Sequence, residues 1–232
     1  MIDKFVGSMA EAMAGIRDGS VVLLGGFGMV GQPDALIDGL IAHGAKDLTV
    51  VANNAGVGHT GLARLMELRR VRRIICSFPR SAGSLVFEAL YSAGEIELEI
   101  VPQGTLAERI RAGGAGIPAF FTPTAVGTRL AEGKEQREID GRTYVLESAL
   151  AGDVALIEAW RADRFGNLTY RASARNFNPI MAMAGRLTIV QTQHAIVAGG
   201  LHPEVIVTPG IFVDRVLHVP YAVPADKGGR NA

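Results

Sequence analysis

A glycine-rich stretch near the N-terminus has the residue types and spacing of a ligand-binding loop. Its residues, in order, are Gly25, Gly26, Phe27, Gly28, Met29, Val30 and Gly31. This glycine loop lies between the apolar run Val21–Leu24 and Pro33, so the pattern predicts a strand, a loop and a helix that tolerates proline at its start. Glycine lets a ligand approach the main chain closely, and the N–H groups at a helix start attract anions. The stretch therefore predicts a site for a phosphate or a carboxylate, although a tight turn without a ligand explains it equally well.

The same glycines match a dinucleotide-binding pattern that the rest of the sequence does not complete. Three of them fit G-x-G-x-x-G, but that motif also needs an acidic residue about 20 positions later, at the end of the second strand, to bind the ribose. Here the second predicted strand, residues 48–52, is followed by Asn53 and Asn54. A nicotinamide-dependent enzyme is therefore a weak alternative.

Amide side chains follow two of the predicted strands and are suited to polarising a carbonyl group. Gln103 comes after the predicted strand 96–101, is followed by a glycine, and precedes a helix predicted to begin near Thr105. An uncharged amide can donate hydrogen bonds to a developing oxyanion. Gln103 is therefore a candidate catalytic residue, although capping of the following helix would explain it equally well. Asn53 and Asn54 either satisfy a strand end or orient a carbonyl group.

Several kinds of catalytic and metal site are excluded by what the sequence lacks. It contains no G-x-S-x-G nucleophile motif and no G-x-x-x-x-G-K-[ST] phosphate loop, which argues against an α/β-hydrolase and most nucleotide hydrolases. We expect no metal site, because the histidines lack metal-ligand spacing. They are His43, His59, His194, His202 and His218. The single cysteine, Cys76, excludes an intrachain disulfide and is interpreted as a core thiol rather than a nucleophile, because no histidine lies near it in sequence.

Alternating strands and helices must position these residues. The predicted β-α-β order repeats through the N-terminal half, which indicates an α/β fold with a doubly wound, mostly parallel, Rossmann-like sheet flanked by helices. Asp140 and Gly141 predict a small hairpin excursion over residues 137–146. Ligands of such sheets bind beyond the carboxyl ends of the strands. The glycine loop and the amide side chains are therefore expected to share one rim with residues 77–80.

Later segments carry further structural predictions. Residues 113–124 hold too much glycine and proline for a regular element, so we expect a long functional or mobile loop there. Late strands are predicted at residues 187–191 and 196–198. The chain is predicted to form a single domain over residues 1–232, with a frayed tail from about residue 222.

Charged residues in the N-terminal half alternate or cluster. Glu95, Glu97 and Glu99 alternate with apolar residues, which predicts the solvated face of an edge strand. A basic cluster before them complements a helix end, with ligand binding as the alternative. Its members are Arg69, Arg70, Arg72 and Arg73.

The overall composition excludes some partners and favours others. Lysine and arginine number 23, as do aspartate and glutamate, so the formal net charge is zero and there is no electrostatic case for nucleic acid. Hydrophobic residues make up 48% of the chain, which together with zero net charge favours association with other subunits. No apolar run suits a bilayer, no secretory signal is evident, and a lone cysteine fits a reducing compartment. We therefore expect a cytoplasmic protein without a membrane partner.

Several strings along the chain are specific enough to compare with a known family. They are residues 18–33, which lead into and include the glycine loop, 53–56 (Asn-Asn-Ala-Gly), 102–109 (Pro-Gln-Gly-Thr-Leu-Ala-Glu-Arg), 113–124, and 174–178 (Ala-Arg-Asn-Phe-Asn). In this order they resemble the A (α) subunit of the family I 3-oxoacid CoA-transferases, over about residues 3–220.

This resemblance implies a CoA-transferase fold and a ping-pong exchange in which a glutamate carries CoA as a thioester. In the family, that glutamate lies in a Ser-Glu-Asn-Gly segment of the B subunit, and this sequence lacks the segment. The chain is therefore expected to supply no nucleophile, to act in a hetero-oligomer with a B subunit, and to use CoA as a cosubstrate without a tightly bound cofactor. By similarity the glycine loop would contact CoA, Gln103 would stabilise the oxyanion, and Asn53 and Asn54 would lie near the acyl group. A non-catalytic subunit that binds CoA or acyl-CoA, or serves as a scaffold, is the alternative.

The resemblance also bears on the substrate. Family members commonly have Thr-Gly-Tyr-Gly-Thr where this chain has Thr-Ala-Val-Gly-Thr, so Ala125 and Val126 are expected to reshape the acid pocket. Residues 76–80 and 208–213 look more like 3-oxoadipate enzymes than acetoacetate ones. The resemblance therefore implies succinyl-CoA as the CoA donor and a 3-oxo acid as the acceptor, with 3-oxoadipate favoured over acetoacetate.

Overall fold

The computed structural model describes residues 2–81 and 83–220. Its α-helices are α1 (Met9–Met13), α2 (Asp34–His43), α3 (Gly61–Glu67), α4 (Leu85–Ser92), α5 (Gln103–Gly114) and α6 (Asn178–Ala184). Its strands are β1 (Val21–Leu24), β2 (Leu48–Val51), β3 (Val71–Cys76), β4 (Glu97–Ile100), β5 (Ala119–Thr122), β6 (Gln136–Ile139), β7 (Arg142–Ser148), β8 (Gly152–Asp163), β9 (Leu168–Thr169), β10 (Gly185–Ile196) and β11 (Arg215–His218). They form the predicted α/β architecture, together with a small antiparallel sheet.

The main sheet is mostly parallel and is wound in both directions from β1. Its order is β11-β10-β8-β1-β2-β3-β4, and β9 pairs antiparallel with β8. β1 is a short apolar run with no alternation, as is typical of strands covered on both faces. It pairs with β2 through Val22↔Val50 and with β8 through Val22↔Val154. The chain winds outward from β1 to β4 and later returns to add β8 on the other side of β1. The predicted doubly wound sheet is confirmed, with its topological switch point between β1 and β8.

Helices cover both faces of the main sheet. α1 to α4 follow one another along one face, over an apolar cluster that includes Leu36 and Phe87. α5 and α6 pack together on the other face, over a cluster that includes Leu106 and Met181. Side chains along a strand alternate between the two faces of the sheet. Residues two positions apart therefore project to the same face. Within residues 2–81 and 83–220, no helix has both the length and the apolar character needed to span a bilayer.

The segment after β4 differs from the loop that its composition predicts. α5 continues through Gly114, and β5 follows it, so the prediction that residues 113–124 hold no regular element was wrong. Glycine within α5 serves close packing, since a Cβ on Gly113 would lie 2.5 Å from the carbonyl oxygen of Leu150. β5 pairs antiparallel with β7, a distant partner that local composition does not reveal.

The predicted hairpin is confirmed, because β6 and β7 pair antiparallel on either side of Asp140 and Gly141. Both of these residues have positive φ, +50° and +74°. Such values suit the tight two-residue turn that Asp-Gly favours. The hairpin and β5 make up the small sheet, in the order β5-β7-β6.

The C-terminal strands differ in extent from their predictions. β10 runs unbroken over residues 185–196, so the strand predicted at 187–191 is only part of it, and the separate strand predicted at 196–198 was wrong. β10 stays regular because it pairs with β8 from Gly185 to Ile196. β11 was not predicted from the sequence. The tail predicted from about residue 222 lies outside the described residues.

Candidate active site

The ends of β2 and β3 and the start of α5 bring Asn53, Ser77 and Gln103 together. Gln103 Nε2 donates a hydrogen bond of 2.8 Å to Asn53 Oδ1, and the Ser77 hydroxyl donates to the same oxygen at 3.3 Å. Asn53 is only 5% exposed, whereas Gln103 is exposed. The amide that was predicted to polarise a carbonyl group thus stands at the surface, oriented by a buried neighbour.

The helix-capping interpretation of Gln103 has no support in the geometry. α5 begins at Gln103 itself, earlier than predicted, with Pro102 as its N-cap residue and no side-chain capping bond. The first helical bond runs from the Leu106 N–H to the Pro102 carbonyl oxygen, at 2.8 Å. The Gln103 side chain is bonded to Asn53 instead, and its amide carries a second N–H that is available to a ligand.

Asn54 differs from Asn53 in what it contacts. Its Oδ1 accepts a hydrogen bond of 2.9 Å from the N–H of Gly56, and it is buried. A side chain that accepts from the main chain two residues later forms an Asx turn. Asn54 therefore shapes the turn after β2, and Asn53 is the member of the pair that is bonded to Gln103.

The glycine loop forms a tight turn between β1 and α2. The main chains of Phe27 and Val30 pair with each other at N···O distances of 3.0 and 3.2 Å. Gly28, between them, has φ of +62°, in the left-handed region that favours glycine. Phe27, Met29 and Val30 are 49%, 49% and 47% exposed. Three neighbouring half-exposed apolar side chains indicate a contact surface for a ligand or another chain.

The start of α2 does not provide the free anion site predicted for it. The Asp34 N–H donates to the Gln32 carbonyl oxygen at 3.0 Å, and the Leu36 N–H donates to Gln191 Oε1 at 3.2 Å. Asp34 also places its own carboxylate in the first turn, where an external anion would otherwise be favoured. A phosphate is therefore disfavoured here, and the apolar tip of the glycine loop is the better surface for a ligand.

A cleft of about 1020 Å³ opens beside the glycine loop. Its walls come from the loop, the start of α2, the C-terminal halves of β8 and β10, and the segment after β9. They include Met29, Val30, Glu158, Trp160, Arg171 and Gln193. β1 and β8, which lead into it, flank the topological switch point. Ligands of doubly wound sheets bind in such a crevice, so this cleft is a candidate binding site.

The cleft and the Gln103–Asn53 pair are formed by different residues of this rim. Glu158 continues the face of β8 on which Leu156 packs with α1 to α4. Asn53 continues the face of β2 on which Val51 packs with α5 and α6. The residues predicted to share one rim therefore form two groups: the glycine loop borders the cleft, whereas Gln103 and Asn53 are bonded to each other and do not line it.

Glu158 is a partly buried carboxyl group in the cleft. Its Oε1 accepts a hydrogen bond of 2.9 Å from Gln193, and its Oε2 one of 3.4 Å from Gln191. Burial raises the pKa of Glu158 above its usual value, and the nearby Asp34 carboxylate adds to the shift. A carboxyl group with a raised pKa in a cleft is a candidate for contact with a ligand.

Three of the four arginines of the basic cluster pair with glutamates in or just before β4. The ion pairs are Arg69–Glu95, Arg72–Glu97 and Arg73–Glu99. β4 is the edge strand of the main sheet, which confirms the edge position predicted from its alternating charges. The face is not fully solvated, because Glu99 is partly buried and accepts a hydrogen bond of 2.7 Å from the buried Arg109. Three of the four arginines are thus paired within the chain, and Arg70 donates a hydrogen bond of 2.8 Å to the Gly44 carbonyl oxygen. These contacts give no support for assigning the cluster a ligand.

The remaining candidate groups are accounted for by local contacts. His59 Nδ1 lies 3.1 Å from Glu67 Oε1. Among residues 2–81 and 83–220, no group of histidine, cysteine, aspartate and glutamate has the arrangement of a metal site. Cys76 is buried, and burial raises the pKa of its thiol to about 12. Cys76 is therefore protonated at neutral pH, which confirms its interpretation as a core thiol.

Comparison with known proteins decides the family. The family model for Coenzyme A transferase matches residues 6–218. This chain belongs to the coenzyme A transferase family. It is 60% identical to the A subunit of 3-oxoadipate CoA-transferase from Pseudomonas putida over 219 residues, which cover 94% of this chain and 95% of that protein. It is 51% identical to the A subunit of a probable succinyl-CoA:3-ketoacid coenzyme A transferase from Bacillus subtilis, over 92% of this chain and 89% of that protein.

Solved structures place this coenzyme A transferase among proteins of the same fold. An acyl-CoA transferase from E. coli O157:H7, crystallised as a thioester complex with CoA, superposes with a TM-score of 0.82 at 21% identity. The superposition covers 99% of this chain and 52% of that one, so this chain spans about half of the solved polypeptide. The likeness confirms the predicted fold, and the family match removes the nicotinamide alternative.

Some residues that border this transferase's cleft were missed from the sequence. Glu158 lacks the Ser-Glu-Asn-Gly context of the family's nucleophile, so it was not selected as a candidate. The one sequence feature that could have indicated Glu158 is that it is a polar residue directly after the buried apolar residues 154–157 of β8. That signal becomes informative only when the strand order is known, because the order makes β8 the neighbour of β1.

Proposed function

We propose that this chain is the A subunit of a CoA-transferase that moves CoA from succinyl-CoA to a 3-oxo acid, with 3-oxoadipate favoured over acetoacetate. The observation that carries the proposal is the 60% identity to the A subunit of a 3-oxoadipate CoA-transferase across 95% of that protein's length. Identity to the relative named for succinyl-CoA and 3-ketoacids is lower, at 51%. This difference favours 3-oxoadipate as the acceptor.

The proposed reaction is a ping-pong exchange whose nucleophile is a glutamate on a separate B subunit. That carboxylate attacks the carbonyl carbon of succinyl-CoA, expels the CoA thiolate and forms a mixed anhydride. The thiolate then attacks the glutamyl carbonyl, releases succinate and leaves a glutamyl-CoA thioester. The 3-oxo acid reverses these steps and leaves as its CoA ester. A covalent intermediate divides a difficult exchange into easier steps.

The glutamates of this chain support a nucleophile on another polypeptide. Glu147 is only 2% exposed and accepts a hydrogen bond of 2.6 Å from Lys134 Nζ. Glu158 borders the cleft, where its two carboxyl oxygens accept hydrogen bonds from Gln193 and Gln191. The sequence also lacks Ser-Glu-Asn-Gly.

The two groups of rim residues take different parts in this reaction. Gln103 uses the amide N–H that is not bonded to Asn53 to stabilise the oxyanion at the thioester carbonyl. Asn53 orients Gln103, and Asn54 shapes the turn beside the acyl group. The glycine loop contacts CoA through the exposed side chains of Met29 and Val30, next to the cleft.

The experiment mixes this chain with a partner polypeptide that carries Ser-Glu-Asn-Gly and follows exchange from succinyl-CoA to 3-oxoadipate. We expect no exchange by either chain alone and robust exchange by the mixture. After incubation with succinyl-CoA and no acceptor, intact-mass spectrometry should find the CoA adduct on the partner. The variant Glu158→Gln should leave that adduct in place. A CoA adduct on this chain, or full activity from this chain alone, would overturn the proposal.

The same mixture separates the remaining alternatives. A panel of 3-oxo acids should give the highest kcat/KM with 3-oxoadipate, and a clear preference for acetoacetate would contradict the acceptor assignment. If this chain is instead a non-catalytic subunit, it should bind CoA at equilibrium, and no exchange should occur whichever partner is added.

A further inference from the structure

A buried asparagine at the start of α6 is bonded to the far end of the glycine loop. Asn178 is the first residue of α6 and is fully buried. Its Nδ2 donates to the carbonyl oxygens of Gly31, at 3.0 Å, and Ala174, at 2.9 Å. Its Oδ1 accepts a hydrogen bond of 3.0 Å from the N–H of Glu158. A single side chain is thus bonded to three parts of the chain: the glycine loop, the segment that precedes α6, and β8.

The glycines at both ends of the loop pack against this same segment. A Cβ built on Gly25 would overlap Asn178 Oδ1, so only glycine leaves room for the amide. Gly31 has φ of +68°, and a Cβ there would lie 2.5 Å from the Ala174 carbonyl oxygen. The two ends of the loop therefore close around Asn178.

Asn176 adds a second tie to the loop. Its Nδ2 donates to the carbonyl oxygen of Val30 at 2.9 Å and to that of Ser173 at 3.0 Å. Val30 is also the residue whose main chain pairs with Phe27 across the loop. Asn176 is therefore bonded to the tip of the loop, and Asn178 to its end.

We propose that Asn178 is a positioning residue for acyl-CoA, because it holds the glycine loop in one arrangement against β8. The inference rests on the function proposed above, in which Met29 and Val30 contact CoA. Asparagine is the side chain that fits, since it donates twice and accepts at once in a short group, whereas aspartate cannot donate and serine donates once. A wall that is ordered before binding lowers the cost of ordering it with the ligand. Loss of Asn178 therefore acts on binding, and raises KM more than it lowers kcat.

Hydrogen exchange of the full chain tests the positioning role without any assay of activity. In Asn178→Ala, the amides of residues 26–31 should exchange about tenfold faster or more, because local opening of the loop becomes easier. Amides of β3, which lies away from α6, should keep their rates. Unchanged exchange in the loop would overturn the proposal. Where Asn178→Ala does not fold, Asn176→Ala is the second variant. It removes the bonds that Asn176 donates to Val30 and Ser173, and also those that it accepts from the Phe177 N–H at 2.6 Å and from Asn178 at 3.4 Å. This variant is expected to accelerate exchange at the loop tip, and unchanged rates there would overturn the proposal equally.

Kinetics of the assembly with its partner polypeptide test the link to CoA. Asn178→Ala should raise KM for succinyl-CoA about tenfold or more while kcat stays within about threefold. Asn167→Ala is the matched control. Like Asn178, Asn167 uses both ends of its amide: it donates to Asp163 Oδ2 and accepts from the Gly210 N–H, each at 2.9 Å. Asn167 does not line the cleft. An unchanged KM, or an equal rise in the control, would refute the role in acyl-CoA binding. If the wild-type chain exchanges CoA with no partner, the proposed function fails, and the hydrogen-exchange result still decides the positioning role.

Discussion

The hydrogen bond between Gln103 and Asn53 predicts that the two side chains act as a unit in CoA transfer. Gln103→Ala removes the exposed donor, and loss of an oxyanion donor costs roughly 3 to 4 kcal/mol in the transition state. Because each 1.36 kcal/mol is a factor of ten in rate, kcat should fall about 10²- to 10³-fold. KM for succinyl-CoA should change little, since the charge that the donor stabilises develops only in the transition state.

Asn53→Leu provides the second side of a double-mutant cycle. It keeps the size of a 5% exposed side chain but removes the oxygen that accepts from Gln103 at 2.8 Å. The amide N–H groups of Gln103 are then still present, but Asn53 no longer orients them. Because the lost hydrogen bond is worth about 1 kcal/mol, kcat should fall about fivefold. In the double variant this loss should disappear, because there is no amide left for Asn53 to orient.

Initial rates with succinyl-CoA and 3-oxoadipate, measured on the assembly with the partner polypeptide, supply all the values of the cycle. Gln136→Ala is the matched control, since Gln136 is an exposed glutamine on β6 in the small sheet. An unchanged kcat in Gln103→Ala, or an equal fall in the control, would refute the oxyanion role. Purely additive losses from Gln103→Ala and Asn53→Leu would refute the reasoning that Asn53 acts through Gln103.

Three further predictions concern the stability and reactivity of the chain. Lys134→Met leaves the carboxylate of Glu147, which is only 2% exposed, without its partner at 2.6 Å, so the free energy of unfolding measured in urea should fall by about 3 kcal/mol. The control Arg137→Met, which breaks an exposed ion pair, should cost less than about 1 kcal/mol. Similar losses in the two variants would contradict this prediction. Ala125 has φ of +74°, so Ala125→Gly should stabilise by about 1 kcal/mol and raise Tm, and a lower Tm would show the reasoning wrong. Cys76 should resist iodoacetamide at pH 9 in the native chain, because burial raises its pKa to about 12, and should react in urea; labelling of native protein would count against it.

The local elements of the N-terminal half were predictable because each carries its own signal. β1 and β2 are short apolar runs, and the glycine loop between β1 and α2 combines positive φ with a following proline. The Asp140-Gly141 turn likewise encodes its hairpin in two residues. In each case the determining interactions lie within a few residues of one another, so pattern and spacing suffice.

The errors fall where the partner of a segment is far away in sequence. β5 was interpreted as a loop because its glycine-rich surroundings predict no regular element. In the structure it forms backbone hydrogen bonds with β7, and Gly113 in α5 allows close packing against Leu150. The end of β10 was misplaced because pairing with β8 keeps it extended through Ile196. At the start of α2, the predicted anion site is disfavoured because Gln191, from β10, takes the N–H of Leu36.

The sequence by itself determined the α/β class, the rim that carries the glycine loop and the amides, and the family resemblance, because these depend on local residue types and their order. The tertiary structure decided the strand order that makes β8 the neighbour of β1 and so places the cleft beside the glycine loop. It also brought Asn53 to Gln103, 50 residues away. It also decided that Asn178 holds Gly31 across 147 residues of chain. Such contacts arise from how the layers pack, and a hydrogen bond between distant residues leaves no periodic trace in a single sequence.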